Sequence, residues 1–362
     1  MLDHILTKGF KSIKCLDLKL SPLNILIGAN GSGKSNFISL FHLINNILEK
    51  RLQVYVGQSG GANSILHFGQ KVTRELSVSL YFSQNKNKYQ FTLIPSQNNA
   101  LIFSDEMCAF WGEGHGKPYD IPLGGGHAES NLHEEMKKDP NGIATYVLDT
   151  IKSWKVYHFH DTSASSGMKQ PCNIHDNLVL RPDGSNLAAF LFFLRNNHPQ
   201  HYKNIEDTIR MVAPFFKEFN LRPNPFNIQS IQLEWSEMGS DAYFNAHSFS
   251  DGTLRFICLA TLLLQPNLPS IILLDEPELG LHPYAVALLA ALLKKAAVKT
   301  QVVAATQSVT LVNQFNPEDI IVVDKEKEQS VFKHLNKEDM SHWLDEYGLG
   351  DMWEKNIFGG RP

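Results

Sequence analysis

The sequence lacks the features that would assign it to several specialised classes of protein. Among its 362 residues are only four cysteines, which are widely scattered and form no C-x-x-C pair. This pattern predicts neither a zinc site nor a disulfide framework. The longest apolar runs, near 187–194 and 256–264, are too short to span a bilayer, and the first residues do not resemble a signal peptide. We therefore expect a cytoplasmic protein without a membrane partner.

The sequence also lacks an excess of one charge sign. Its 33 basic and 37 acidic residues give a formal net charge of −4, so no long-range field would draw the chain onto nucleic acid. The basic pairs are isolated and have no aromatic residues among them, which does not favour single-strand binding. Lys8, Lys11, Lys14 and Lys19 could form a local phosphate-contacting edge, but we expect them to be solvated surface residues. Nucleic acid is thus a partner that the charge does not support.

What is present is a chain long enough for a large core, with one strong glycine-rich motif. Hydrophobic residues make up 43% of the sequence, enough for one large domain or two small ones. Residues 28–35, GANGSGKS, match G-x-x-x-x-G-K-[ST] between an apolar run at 23–27, which predicts a buried strand, and a helical pattern at 37–48. In such a loop, glycines let backbone N–H groups face phosphate oxygens, and the following helix N-terminus adds partial positive charge.

This context predicts an ATP site. Lys34 would neutralise the β- and γ-phosphates, and the Ser35 hydroxyl would be a ligand of Mg²⁺. The residues that we expect to contact the nucleotide from this loop are Asn30, Gly31, Ser32, Gly33, Lys34, Ser35 and Asn36.

A second motif contains Asp275, which lies 241 positions after Lys34. The apolar run 271–274 predicts a parallel strand that is covered on both faces, and it ends in Asp275 and Glu276. Asp275 is placed to hold Mg²⁺ through water, and Glu276 to orient or deprotonate the attacking water. A strand that merely ends in two solvated acids is the alternative, and the turn at 277–283, PELGLHP, argues against it.

Two further segments complete the pattern. Residues 248–256, SFSDGTLRF, predict a helix start with free backbone donors before the apolar run 254–264, although a simple helix cap would also explain them. A predicted buried strand at 301–305 ends in Thr306, Gln307 and Ser308. Gln307 is able to hydrogen-bond a phosphate or a water molecule but cannot carry a proton. Its alternative role is that of a polar strand-end residue without catalytic duty.

In this order, the four segments resemble the AAA-21 group of predicted ATPases. These are single-chain relatives of the ABC-type ATPases of chromosome-maintenance, recombination and OLD-family proteins. Residues 5–24 and 183–191 also resemble the group, whereas 85–141 do so weakly. The resemblance implies an α/β, ABC-type ATPase fold, with a P-loop NTPase core, an antiparallel β subdomain and a short helical insertion. We accordingly expect lobes at 1–180 and 236–335, the insertion at 181–235 and a helical tail at 336–362.

The resemblance also implies how the site is completed. In such ATPases the signature motif, here Ser250, Asp251, Gly252 and Thr253, reaches the γ-phosphate of ATP held by another subunit, so two chains sandwich two nucleotides. Gln307 stands where the family usually has a switch histidine, which favours slow turnover or ATP as a conformational signal. Catalysis would then rest on Glu276, Gln307 and Lys34, with Mg²⁺ on Ser35 and Asp275.

The resemblance leaves the biological task open. Many members of the group occur in anti-phage defence or toxin-like operons with a separate effector. We therefore expect an oligomeric ATPase that controls an effector such as a TOPRIM-type nuclease or a toxin. The alternative is a DNA-binding repair or recombination ATPase that acts directly on DNA.

The remaining histidines and acidic residues do not predict a further metal or catalytic site. His158 and His160 on one strand face, and the histidines at 115, 127 and 133, lack metal-ligand spacing, so we expect no metal besides Mg²⁺. The acids of the tail are spaced like a solvated helix face rather than a nuclease centre. Other segments predict a surface loop at 111–130, helical spacing at 186–197 and 202–219 that Pro199 and Pro214 break, and a β-hairpin from 228–235 and 242–247.

Overall fold

The computed structural model describes residues 1–112, 119–336 and 347–361. None of the helices in these three ranges is long and apolar enough to cross a membrane. The α-helices are α1 (Lys34–Leu48), α2 (Leu52–Gln58), α3 (Ala62–Ile65), α4 (Leu132–Lys138), α5 (Ile143–Lys152), α6 (Leu187–Asn197), α7 (Pro199–Val212), α8 (Asp251–Leu264), α9 (Pro283–Ala297), α10 (Val309–Val312) and α11 (Leu349–Glu354).

The centre of the molecule is a six-stranded sheet in the order β18-β17-β3-β16-β15-β8. All neighbours in it are parallel except β17 and β18, which form an antiparallel pair. Its strands are β3 (Leu23–Ile27), β8 (Trp154–Tyr157), β15 (Ile271–Asp275), β16 (Gln301–Thr306), β17 (Ile320–Glu326) and β18 (Gln329–His334).

Strands β3, β15 and β16 are almost entirely buried because helices cover both faces of the sheet. Ile25 and Ile27 of β3 pack on one face with residues of α6, α8 and α9. Leu26, which points the other way, packs with α1 and α5. This arrangement explains why the sequence of β3 shows no alternation of polar and apolar residues.

A second six-stranded sheet is antiparallel, in the order β2-β1-β4-β5-β6-β7. Alternate residues of β4 are buried, and they join α1 in the second core, so α1 packs against both sheets. The strands are β1 (Leu2–Phe10), β2 (Ile13–Lys19), β4 (Leu76–Phe82), β5 (Asn87–Pro95), β6 (Leu101–Phe110) and β7 (Tyr119–Gly124).

Two small antiparallel sheets are formed by strands that precede the helix α8 in the sequence. Their orders are β10-β13-β14 and β11-β12-β9. The strands are β9 (Cys172–Asn173), β10 (Phe216–Phe219), β11 (Pro223–Asn224), β12 (Asn227–Ile231), β13 (Glu234–Glu237) and β14 (Tyr243–Asn245).

The structure differs from the local expectations in three places. The helical spacing of 202–219 is broken at Pro214 as expected, because proline cannot continue a helix, and α7 ends at Val212; the residues that follow at 216–219 form β10 and not helix. Residues 119–124 of the expected loop form β7, which pairs with the long β6. The hairpin joins β13 to β14, whereas β12 belongs to the other small sheet.

Some expectations concern residues that the structure does not describe. His115 lies outside the described residues, and so do the tail acids Glu338, Asp339, Asp345 and Glu346. Asp351 is described and lies in the first turn of α11.

Candidate nucleotide-binding site

Three parallel strands bring the predicted site residues to one edge of the central sheet. Ile27 at the end of β3 pairs with Thr306 of β16, and Ala305 pairs with Asp275 of β15. Because the three strands end almost level, the segments that follow them start within two strand spacings, about 10 Å. Lys34 and Asp275, which are 241 positions apart in the sequence, are thus brought to the same edge of the sheet.

The glycine loop that follows β3 is held in a tight conformation. Gly33 has φ 118, and a β-carbon there would lie only 2.0 Å from Oγ of Ser330. The Ser330 hydroxyl donates to the carbonyl of Ser32 at 2.5 Å and contacts Oγ of Ser12 at 2.7 Å. The Asn36 side chain donates to the same Ser12 oxygen at 2.7 Å. Strand β18 and the β1–β2 turn therefore support the loop from behind.

Lys34 begins α1 and is only 5% exposed. Its Nζ donates to the carbonyl oxygens of Gly28 at 2.5 Å and Ala29 at 3.0 Å. Burial lowers the pKa of Lys34, and the negative charges of Glu276, Asp275 and Glu278 act against that lowering. The lysine and the three acids thus share one electrostatic environment at the edge of the sheet.

The acid pair lies at the end of β15. Glu276 has φ 43, which is unusual for a residue other than glycine, and its N–H donates to the Ala305 carbonyl at 2.8 Å. The side-chain amide of Gln307 donates to a carboxylate oxygen of Glu276. A strained backbone that the surroundings hold in place is common where a side chain must point in a fixed direction.

The donor set at this edge suits Mg²⁺. Oδ1 of Asp275 is buried and has no hydrogen-bond partner among the described residues. The Asp275 carbonyl is occupied, because Nε2–H of His160 donates to it at 2.7 Å. Ser35 lies in the first turn of α1 and supplies a hydroxyl. Carboxylate and hydroxyl oxygens are hard ligands of the kind that Mg²⁺ prefers, so Asp275 and Ser35 could hold the ion.

Glu278 is a functional candidate that the sequence analysis did not assign. Its carboxylate accepts hydrogen bonds from the Thr306 hydroxyl and from the Gln307 N–H, the latter at 3.3 Å. Burial raises the pKa of Glu278 above its usual value. The residue connects the turn after β15 to the end of β16, and an acid inside the PELGLHP turn was the only signal of it.

Three of the predicted residues line one open cleft of about 440 Å³. Asn30, Glu276 and Gln307 contribute to its walls together with Glu278 and Gly280. The signature residues Ser250 and Gly252 do not line this cleft.

The signature segment caps its helix and is open to solvent. Ser250 is the N-cap of α8 and accepts a hydrogen bond from the Thr253 N–H at 3.2 Å. Ser250 and Asp251 are exposed. Gly252 lies against the turn after β15, since a β-carbon there would be 2.3 Å from the carbonyl oxygen of Gly280. A larger residue would push α8 away from that turn.

Arg255, one turn into α8, is a second residue that the sequence analysis missed. Its guanidinium donates to the carbonyls of Phe159, His160 and Leu279 at 3.2, 2.9 and 2.8 Å. The same side chain thus joins the signature helix to the segment that contacts Asp275 and to the turn that follows Glu276. No sequence pattern predicts three carbonyl partners so far apart in the chain.

The histidines considered for a metal have other neighbours. His158 lies beyond the end of β8, and its Nε2 is 3.0 Å from Nε2 of His42. Within the described parts of the chain, no group of three potential ligands is arranged to hold a metal ion. His127 lies in the antiparallel sheet region, where Nδ1 is 2.8 Å from the Glu129 carbonyl.

Comparisons with known proteins agree with this architecture. Residues 147–313 match a family model described as "AAA domain, putative AbiEii toxin, Type IV TA system". A crystal structure of an Smc head bound to the C-winged helix domain of ScpA is similar, with a TM-score of 0.62 and 16% identity over 94% of this chain and 99% of that one.

An Smc head domain with an extended coiled coil, bound to the C-terminal domain of ScpA derived from Pyrococcus furiosus, gives a TM-score of 0.54 and 16% identity over 95% and 98% of the two chains. No curated protein sequence matches the chain significantly. The resemblance to the AAA-21 group is confirmed, and so is an ABC-type α/β fold with a P-loop NTPase core.

We predict that Glu278 makes the protein less stable as the pH rises. Because the pKa of Glu278 is raised in the folded protein, folding favours its protonated form, and that contribution is lost as the pH rises from about 4.5 through the folded-state pKa. Glu278→Gln keeps an acceptor for Thr306 without a buried charge. Its melting temperature should match that of the wild type near pH 4 and exceed it by about 2–4 °C at pH 8.

The measurement is thermal unfolding by circular dichroism between pH 4 and pH 8. Glu354→Gln, at an exposed position, is the matched control and should follow the wild type at every pH. A constant difference between Glu278→Gln and the wild type across this range would contradict the prediction.

Proposed function

We propose that the chain binds and hydrolyses ATP at this edge of the sheet. The observation that carries the proposal is the position of Glu276: its strained backbone projects it into the open cleft beside the glycine loop, where Gln307 holds its carboxylate. Lys34 and the loop N–H groups would bind the phosphates, and Mg²⁺, held by Ser35 and Asp275, would neutralise phosphate charge. Glu276 would orient water and accept its proton.

Gln307 would act as a positioning residue in this scheme. Its amide donates to Glu276, which keeps that carboxylate directed into the cleft. Since an amide cannot take up a proton, Glu276 alone would accept one from water. Slow turnover follows, and it suits a protein in which bound ATP serves mainly as a signal.

We further propose that two chains close on two ATP molecules. Ser250 and Asp251 are solvent-exposed at the start of the fourteen-residue α8, and they do not line the cleft of their own chain. Free N–H groups at a helix start bind anions well, so a γ-phosphate presented by a second chain is a suitable ligand. Lys169, with Nζ 3.5 Å from Asp251, would reduce the repulsion between that aspartate and the phosphate.

The output would be control of a separate effector, either a nuclease or a toxin, in a bacterial defence-type system. The matched family model carries a toxin-type description, and the two similar Smc heads each bind a separate protein, ScpA. Arg255 gives a physical route, because it joins the signature helix to both segments beside the acid pair. Closure on ATP would therefore move α8 and the helices packed on it.

We predict that Glu276→Gln binds ATP but does not turn it over. The substitution keeps the size of the side chain and removes the base, so phosphate release should fall about 100-fold or more, while the dissociation constant for ATP stays within a few fold. Phosphate release and equilibrium ATP binding are the measurements. Lys34→Ala should lose ATP binding, and Glu354→Gln should resemble the wild type. Unchanged phosphate release in Glu276→Gln would remove Glu276 from the reaction.

A mixing experiment tests the shared site. Lys34→Ala and Ser250→Arg should each be inactive alone, since each damages both sites of a head-to-tail dimer. In a mixture, half of the dimers are mixed and each has one intact site, so turnover should recover to about a quarter of the wild-type value. A mixture as inactive as its components would contradict a site built from two chains.

Effector control predicts a complex whose composition depends on nucleotide. The chain should be co-expressed with the product of the adjacent open reading frame and its mass measured without nucleotide, with ATP and with ADP. The wild-type complex should differ between ATP and ADP, and Glu276→Gln should stay in the ATP form. A complex of identical mass in all three conditions, or no complex, would count against effector control.

A further inference from the structure

A basic groove runs beside the β1–β2 turn of the antiparallel sheet, and no residue that lines it also lines the open cleft of the ATP site. It consists of two adjoining clefts of about 460 and 750 Å³ that share Phe68. Its walls come from β1, β2 and the turn between them, from residues of the segment 63–75, and from the β17–β18 turn with the start of β18. The cations that line it are Lys8, Lys11, Lys14, Lys71, Arg74 and Lys327.

The charge of the groove contrasts with that of the whole chain. Six cations line it with a single carboxylate, that of Glu75, although the formal net charge of the protein is −4. In residues 1–112, 119–336 and 347–361, none of the six forms an ion pair with a carboxylate, whereas the neighbouring acids Glu326 and Glu328 are paired with Lys333 and Lys325. The groove therefore has positive charge that the chain itself does not neutralise.

The groove also contains an exposed aromatic residue, Phe68, which lines both of its clefts. Phe68 is 57% exposed, and its backbone has φ 55, a conformation that is uncommon for a bulky residue. Backbone hydrogen bonds of the two neighbouring residues hold this conformation. The Gly69 N–H donates to the Leu66 carbonyl and the His67 N–H to the Gly9 carbonyl, both at 3.0 Å. The ring of His67 packs against the ring of Phe68, with 4.3 Å between the ring centroids. The fold thus holds an apolar ring in solvent at a cost in local strain.

We propose that this groove binds an unpaired nucleic-acid strand, with phosphates on the cations and a base stacked on Phe68. Binding sites for single strands combine a positive channel for the backbone with aromatic rings for the bases, and both occur together here. A duplex fits less well, because its bases are already stacked and offer no free face to Phe68.

The groove also reaches the support of the glycine loop. Lys11 precedes Ser12, whose hydroxyl contacts Asn36 and Ser330 at 2.7 Å each, and the Lys11 N–H donates to the Ile65 carbonyl at 2.8 Å. A strand bound on Lys11 and Phe68 would therefore press on the turn that supports the ATP loop. Binding should change the rate of ATP turnover, although the groove itself needs no ATP to form.

Fluorescence anisotropy with a labelled oligothymidylate of about 20 nucleotides, at about 50 mM salt, tests the proposal. The triple variant Lys8→Ala/Lys14→Ala/Lys327→Ala should bind at least about 10-fold more weakly, and its slope of log affinity against log salt should be about 2 units shallower. The matched control, Lys203→Ala/Lys217→Ala/Lys299→Ala, removes the same charge from exposed positions elsewhere and should bind like the wild type.

Phe68→Ala separates base stacking from charge. It should weaken oligonucleotide binding about 5- to 100-fold while leaving the salt slope unchanged, and ATP binding should be unaffected in every groove variant. The exposed Cys15, which also lines the groove, offers an independent readout in a Cys172→Ser background. A saturating oligonucleotide should slow its reaction with a maleimide.

Four results would overturn the proposal. The first is that the wild type does not bind the oligonucleotide, and the second is that the groove triple variant and the control triple variant lose equal oligonucleotide affinity. The third is that a duplex of the same length binds as tightly as the single strand and Phe68→Ala has no effect. The fourth is that Phe68→Ala loses ATP binding and keeps oligonucleotide binding. The last result would assign Phe68 to the base of a mononucleotide.

Discussion

The level ends of three buried parallel strands are the constraint on which the rest of the site depends. Strands β3, β16 and β15 are buried along almost their whole length, and apart from Asn24 and Gln301 near the strand starts, their polar residues come where each strand ends. The register of the three strands places those ends side by side. Lys34, Asp275 and Gln307 therefore meet because the core excludes them, and helix packing on both faces fixes where they meet.

Electrostatics at this edge are arranged around one cation and three acids. Lys34 loses solvation through burial, and the acids offset part of that loss; Glu278 in turn is held by hydrogen bonds from Thr306 and Gln307 rather than by an ion pair. A triphosphate with its metal would add both signs of charge to this cluster. The neutral Gln307 suits such a cluster, because it orients Glu276 without adding a charge that would change when a proton moves.

Local sequence was enough to predict those parts of the fold that local physics determines. The strand 76–82 alternates in burial because one face packs on the core, and the glycine loop is set by φ values that favour glycine. The strand at 216–219 was not predicted, because Phe216 and Phe219 suit a helix face as well as a strand. Only the pairing of this segment with β13 determines that it is extended. Glu278, Arg255 and Ser330 were missed because their partners lie 24 to 318 positions away.

The net charge of a chain says little about a groove of this size. Screening confines a charge to about 10 Å at moderate salt, so a ligand responds to the charges that surround it and not to the sum over 362 residues. The lysines near the start of the chain are ordinary surface residues when considered alone. Only the fold adds Arg74 from one segment and Lys327 from a hairpin more than 250 positions later, and only the fold turns Phe68 outward between them. The net charge of the whole chain hides this local excess, because the acidic residues elsewhere on the surface cancel the cations of the groove in the sum.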